Sequence, residues 1–173
     1  MKTTFFGFYL IALLSLVFNA CEDKNCDVTG EVELYLLESY DTNGFCEIVK
    51  SSVETSMKPL IEYSDFKSYN SKDYVFKITN KAKEAIEGLE HSVHGLPFAM
   101  VADDQLIYTG YFWPGYSSAS CDWIVIDPLM IRGDNELRVE LGYPAPFEGA
   151  GIPDERNNSM ILDIFRRDGK LID

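Results

Sequence analysis

The strongest limit on the fold of this chain comes from a set of short segments in which apolar and polar residues alternate. Residues 31–37 and 136–141 show the two-residue period of strands with one face in a core and the other in water. Residues 74–78 and 123–126 are apolar runs of strand length. Two further apolar runs flank the aspartate pair at residues 103–104, which predicts a tight hairpin because aspartate tolerates turn conformations.

A helix is predicted between the strand at 74–78 and this hairpin. Thr79 and Asn80 are suitable caps for its first turn, and Gly95 is the expected stop. The apolar residues that recur at helical spacing between them are Ala82, Ala85, Ile86, Leu89 and Val93. A second helix is expected over residues 157–167. The pattern therefore predicts an α+β fold, a mostly antiparallel sheet with one central amphipathic helix and a C-terminal helix.

Composition supports one folded domain over residues 31–173. Hydrophobic residues make up 46% and aromatic residues 13% of the chain, too many for a disordered protein. The formal net charge is −13, which argues against nucleic acid as a partner because nucleic-acid binding requires a basic surface.

The first 20 residues are expected to be a leader that is removed. Lys2 precedes an apolar run at residues 5–18, which is too short for a typical membrane span. The run ends at Ala20-Cys21, which resembles the lipobox of bacterial lipoproteins. This resemblance implies cleavage before Cys21, acylation of Cys21, and attachment of the protein to a membrane of the bacterial envelope by its lipid.

The outer membrane is the expected location, with residues 21–30 as a lipidated tether. Residues 22–25 resemble the export signals of surface lipoproteins in Bacteroidetes-type bacteria. The surface and the periplasmic face both remain open, and a plain secreted protein is the alternative.

Three cysteines remain in an oxidising compartment once Cys21 is assigned to the lipid. One disulfide and one buried thiol are the simplest arrangement, and Cys26 with Cys46 is the expected pair because the two bracket a strand and its turn. The third is Cys121. None of them has the spacing of a metal site. His91 and His94 have no further histidine to complete a metal site, so neither a metal nor a cofactor is expected.

Residues 74–111 resemble part of the head of the first periplasmic domain of SecD and SecDF, the protein-export accessory subunits. The matching residues are Val75-Phe76-Lys77-Ile78-Thr79, then a helix, then the stretch Gly95-Leu96-Pro97-Phe98-Ala99-Met100-Val101-Ala102-Asp103 and Leu106-Ile107-Tyr108. Asp104 stands where that family has glycine. The resemblance implies a strand–helix–hairpin module with a binding role, without the export activity.

A cluster of aromatic residues is the candidate binding site. Six of them fall within 16 residues: Tyr108, Tyr111, Phe112, Trp113, Tyr116 and Trp123. Exposed aromatic rings in a loop bind peptides or sugar faces. Tyr108, Tyr111, Trp113 and Tyr116 are therefore the expected ligand contacts, with Trp113 exposed beside a turn at residues 114–115 and Trp123 buried in a strand.

Enzymatic patterns are weak. Ser117, Ser118 and Ser120 have no histidine near them in the sequence, as a serine nucleophile requires. Asp122, Asp127 and Glu140 are common residue types in an acidic chain and form no motif. The sequence thus favours a non-enzymatic, lipid-anchored envelope protein that binds a protein, a peptide or a glycan. A small envelope hydrolase without a recognisable motif is the alternative.

Overall fold

The computed structural model describes residues 29–131, 133–146 and 151–173. The predicted leader, Cys21 and Cys26 lie outside the described residues. The described part contains twelve strands and two α-helices. The strands are β1 (Val32–Ser39), β2 (Thr42–Asn43), β3 (Glu47–Ile48), β4 (Glu54–Thr55), β5 (Phe66–Asn70), β6 (Val75–Ile78), β7 (Leu96–Ala102), β8 (Gln105–Phe112), β9 (Cys121–Ile126), β10 (Glu136–Arg138), β11 (Glu140–Tyr143) and β12 (Leu171–Ile172).

The strands form three sheets. A six-stranded sheet has the order β11-β9-β8-β7-β1-β4, and a four-stranded sheet has the order β10-β6-β5-β12. The third sheet is the small β2-β3 pair. Only the β8–β9 and β5–β12 pairs are parallel, so the expected α+β fold with mostly antiparallel strands is confirmed.

The hairpin β7–β8 confirms the expected turn. Asp103 and Asp104 have φ angles of 49° and 58°, in the left-handed region that aspartate enters more readily than most residues. The backbone N–H of Asp103 donates to the carbonyl of Glu31 at 3.0 Å. The chain therefore enters the six-stranded sheet at the end where this turn lies.

One buried apolar cluster joins both large sheets and both helices. It includes Leu34 of β1 and Phe66 of β5. The helices α1 (Asn80–Glu87) and α2 (Ser159–Arg167) contribute Ile86 and Ile161. In the described residues, no helix is long and apolar enough to cross a membrane.

The helix α1 starts as predicted but ends earlier. The Thr79 hydroxyl caps it by accepting from the N–H of Ala82 at 3.2 Å. It stops at Gly88 rather than at Gly95, because glycine is a poor helix former and the chain turns away there. Val93, expected on the buried face, is 47% exposed.

The predicted strand at residues 136–141 is divided between the two large sheets. Residues 136–138 pair with β6, whereas residues 140–143 pair with β9. Val139 lies between them, is 1% exposed, and donates its N–H to the carbonyl of Tyr74 at 3.0 Å. Apolar and polar residues alternate as predicted, but β10 lies at the edge of the four-stranded sheet and β11 at the edge of the six-stranded sheet.

Candidate functional site

Three of the four expected aromatic contacts are buried. Trp113 is 1% exposed, Tyr111 is 4% exposed and Tyr108 is 1% exposed, so the prediction of an exposed aromatic surface built on them is wrong. Burial raises the pKa of the Tyr108 hydroxyl well above its usual value. Only Tyr116, at 58%, is exposed, while Trp123 is buried as expected.

Trp113 is held in the core by contacts from several segments. Its backbone N–H donates to the carbonyl of Ile126 at 2.8 Å, which continues the pairing beyond β8. Its indole N–H donates to the carbonyl of Ala119 at 3.3 Å, and its ring meets Tyr111 edge to face. Gly95 has a φ of 79° and lies directly beneath the rings, where a Cβ would come within 2.7 Å of the Trp113 ring. The loop at residues 114–120 therefore covers this tryptophan.

Cys46 forms a disulfide with Cys121, so the predicted pairing of Cys46 with Cys26 is wrong. The Cα atoms of Cys46 and Cys121 are 5.7 Å apart, and both side chains are buried. The bond fastens the segment that carries β2 and β3 to the first residue of β9. Partners 75 residues apart in sequence meet because β9 lies inside the sheet that this segment covers.

His91 and Ser117, considered above for chemistry, make structural hydrogen bonds. His91 Nε2 lies 3.1 Å from the carbonyl of Ile86, near the end of α1. His94 is exposed. Ser117 is 7% exposed and donates its hydroxyl to the carbonyl of Val93 at 2.6 Å. No group of three or more potential metal ligands occurs among the described residues.

A groove runs along the consecutive strands β10 and β11, which are the edges of the two large sheets. We call it the edge groove. It has two lobes that share Arg138, Glu140 and Pro144. Because Leu137 and Val139 point into the core, Glu136, Arg138 and Glu140 point outward and line the groove.

The acidic lobe of the edge groove has a volume of about 410 Å³. Its lining residues are Asp127, Met130, Glu136, Arg138, Glu140, Tyr143 and Pro144. Three carboxylates and one guanidinium are among these residues. Asp127 Oδ1 accepts from the N–H of Leu129 at 2.9 Å. No carboxylate of this lobe forms an ion pair with a described residue.

Apolar side chains form the rest of the acidic lobe. Met130 is 71% exposed and is one of the large hydrophobic side chains of the domain that lie at the surface. Tyr143 donates its hydroxyl to the carbonyl of Gly115 at 2.9 Å, which fixes its ring against the loop that covers Trp113. The lobe therefore combines a flexible apolar side chain, a fixed aromatic ring and carboxylates without an ion-pair partner among the described residues.

The apolar lobe has a volume of about 340 Å³. Besides the shared residues, it is lined by Asp73, Tyr74, Val139, Leu141, Ala145, Pro146 and Arg156. The Arg156 guanidinium lies over the Tyr74 ring, with Cζ 3.6 Å from the ring centroid. Arg156 also donates two hydrogen bonds to Asp154, at 2.8 and 2.7 Å, and one to the carbonyl of Val139 at 3.1 Å.

These contacts make the wall of the apolar lobe rigid. Hydrogen bonds from Arg156 lower the pKa of Asp154, so the pair is charged at neutral pH. Tyr74 has a φ of 55°, a left-handed conformation that costs a non-glycine residue roughly 1 kcal/mol or more. The stack on Arg156 offsets that cost.

The sequence did not predict the edge groove because its acids lie in separate elements, namely the loop after β9 and the strands β10 and β11. Asp127 and Glu140 form no sequence motif, and the structure brings both into one lobe. Asp122 lies elsewhere, in a shallow depression with Asn43 and Glu47. The sequence signal for the groove is the placement of charged residues at 136, 138 and 140, which puts them on the same outward face of the strand.

Comparisons with known proteins found no relative. No protein-family model matches the chain, and neither the curated proteins nor the solved structures contain a significant match.

Proposed function

We propose that this protein is a lipid-anchored, non-enzymatic binding module of the bacterial envelope, and that the edge groove holds an extended segment of a partner protein. The observation that carries the proposal is the acidic lobe, in which Met130 is 71% exposed beside Tyr143 and three carboxylates that form no ion pair with a described residue. Exposed methionine and aromatic rings are typical of protein-binding surfaces.

The position of the acidic lobe suits a protein tethered at its N-terminus. The chain enters the six-stranded sheet beside Asp103, and β8 runs from there to Phe112. The parallel strand β9 places Ile126 opposite Phe112, so Asp127 follows at the far end of the sheet. Eight residues of β8 separate the two ends by about 25 Å. The acidic lobe therefore faces away from the end to which the tether attaches.

A peptide suits the edge groove better than a glycan does. Sugar sites generally use the exposed faces of aromatic rings. Trp113, Tyr111 and Tyr108 are buried, and the ring of Tyr143 is half-buried. The two lobes adjoin along consecutive strands, so the groove is elongated. An elongated groove suits an extended peptide. The resemblance of residues 74–111 to the SecD head is consistent with a binding role and belongs to the same proposal.

The anchor is tested by changing the acylated residue. Cys21→Ser removes the acceptor for the lipid, so the protein is expected to move from the membrane fraction to the soluble fraction. The acidic surface, with a net charge of −13, gives no electrostatic attraction to anionic lipids that would replace the anchor. If the Cys21→Ser protein still sediments with membranes at high salt, the anchor is not the lipid.

The edge groove is tested by photo-crosslinking in living cells. A photoreactive amino acid at position 130 is expected to give a discrete adduct with a partner protein. The same amino acid at position 57 is the matched control, because Met57 is 94% exposed and lies outside the groove. Arg138→Trp places a bulky ring between the two lobes and should abolish the adduct from position 130. The same adducts from both positions, or an adduct that survives Arg138→Trp, would show that the groove is not the site.

A further inference from the structure

The geometry points to a partner segment that carries a basic side chain between apolar ones, with the lysine or arginine in the acidic lobe and the apolar residues against Met130 and Tyr143. This inference rests on the proposed function, because it names the ligand of the same groove. Its support is charge complementarity in a groove that also offers apolar contact area.

The lining charge favours a cation. Glu136 and Glu140 are exposed, point to the same side as Arg138, and form no ion pair with a described residue. Asp127 adds a third carboxylate from the loop after β9. Three carboxylates and one guanidinium leave a net charge of −2 on the lining. Carboxylates that form no ion pair with the described residues attract a cationic partner.

Arg138 contributes to the selectivity of the groove. Its guanidinium donates to the backbone carbonyl of Asp73 at 3.1 Å, which directs it toward the apolar lobe. A cationic side chain would meet these carboxylates as opposite charges, whereas an acidic segment would meet them as like charges. The groove is therefore expected to reject acidic peptides.

The apolar contacts distinguish this site from general attraction to an acidic protein. The overall charge of −13 attracts any cation weakly and without a preferred position. Met130 and the Tyr143 ring add a contact that depends on apolar residues next to the basic one. A peptide with lysine between leucines is therefore expected to bind better than one with lysine between glycines.

The test measures peptide binding by fluorescence anisotropy with the full-length Cys21→Ser protein. The probes are fluorescein-labelled Leu-Lys-Leu-Lys-Leu, Leu-Glu-Leu-Glu-Leu and Gly-Lys-Gly-Lys-Gly. The Glu136→Gln/Glu140→Gln variant is expected to bind the lysine–leucine peptide roughly fivefold more weakly than the parent protein. The matched control is Glu38→Gln/Glu90→Gln, which removes the same charge from exposed acids outside the groove and should change affinity less than about twofold.

Three results would overturn the inference. Equal losses in the two double variants would mean that only net charge matters. Equal binding of the lysine and glutamate peptides would mean that the groove takes peptides without preferring a cation, and the proposed function would then stand without this inference. Equal binding of the lysine–glycine and lysine–leucine peptides would mean that apolar contacts with Met130 and Tyr143 do not contribute to binding. The crosslinking experiment separates these outcomes from failure of the proposed function: if the proposed function is wrong, position 130 gives no specific adduct in cells.

Discussion

At the scale of single residues, Trp113 shows how one large ring organises its surroundings. It joins the end of β8, the loop that follows and the glycine before β7. Tyr143 packs against it at a centroid distance of 6.4 Å, and the same tyrosine lines the acidic lobe. The buried tryptophan therefore supports one wall of the edge groove without touching a ligand.

Trp113→Ala is expected to lower the free energy of unfolding by about 3–5 kcal/mol, because it removes a fully buried aromatic ring and leaves a cavity. The measurement is chemical denaturation followed by circular dichroism. Tyr116→Ala is the control, with an expected loss below about 1 kcal/mol because its ring is exposed.

Acrylamide quenching gives a second readout for the same residue. In the Trp123→Phe variant, Trp113 is the remaining tryptophan of the chain and should be shielded from the quencher. Strong quenching, or equal losses from Trp113→Ala and Tyr116→Ala, would mean that Trp113 is at the surface.

At the scale of elements, the end of α2 is tied down by a carboxylate. Asp168 follows the helix, accepts a hydrogen bond from the Tyr63 hydroxyl at 2.7 Å, and pairs with Arg167 at 2.6 Å. Hydrogen bonds from Arg167 and Tyr63 lower the pKa of Asp168 from 3.8 to about 2. The charged form is therefore favoured in the folded protein.

The pH dependence of stability follows from that lowered pKa. The contribution of Asp168 is complete above its unfolded pKa and is lost as the pH falls from about 4 to about 2. Asp168→Asn should be less stable than the parent protein at pH 6, and the two should converge near pH 2. Urea denaturation at both pH values is the measurement.

Asp163→Asn is the control for this prediction, because it removes one carboxylate from an exposed ion pair of the same helix. Asp163→Asn changes the net charge by the same amount as Asp168→Asn, so it measures the effect of net charge on stability. If the difference between Asp168→Asn and the parent protein does not shrink at low pH, the hydrogen-bonded carboxylate is not the cause.

At the scale of the whole molecule, the Cys46–Cys121 disulfide links segments that are distant in sequence. Its partners are separated by 75 residues, so it restricts the unfolded chain over a large loop. It also holds β2 and β3 against the start of β9, on the sheet that carries one wall of the edge groove. The disulfide therefore affects both the stability of the domain and the position of a sheet that borders the groove.

Removing this disulfide with Cys46→Ser/Cys121→Ser should cost roughly 2–5 kcal/mol of stability. Thermal unfolding by circular dichroism is the measurement. Cys26→Ser is the control, and it should leave the Cys46–Cys121 bond intact in non-reducing peptide mapping. Loss of that bond in the Cys26→Ser protein, or equal destabilisation by both changes, would contradict the pairing.

Local sequence was sufficient to predict the fold class, the β7–β8 turn, the start of α1 and the end of α2, which starts two residues later than predicted. Alternation along a strand, the aspartates at 103–104, the Thr79 cap and the apolar face of α2 act between residues that are close in the chain. The early end of α1 also had a local cause in Gly88, which the apolar periodicity alone did not reveal.

Long-range packing was needed for the rest. Trp113 is buried because Gly95 and the loop at 114–120 close over it, and Cys46 meets Cys121 because β9 lies inside the sheet that the covering segment reaches. The strand at 136–141 divides because β6 and β9 each pair with half of it. Asp127 joins Glu136 and Glu140 in one groove for the same reason: contacts between distant residues depend on how the sheets are assembled, and no short sequence pattern encodes that assembly.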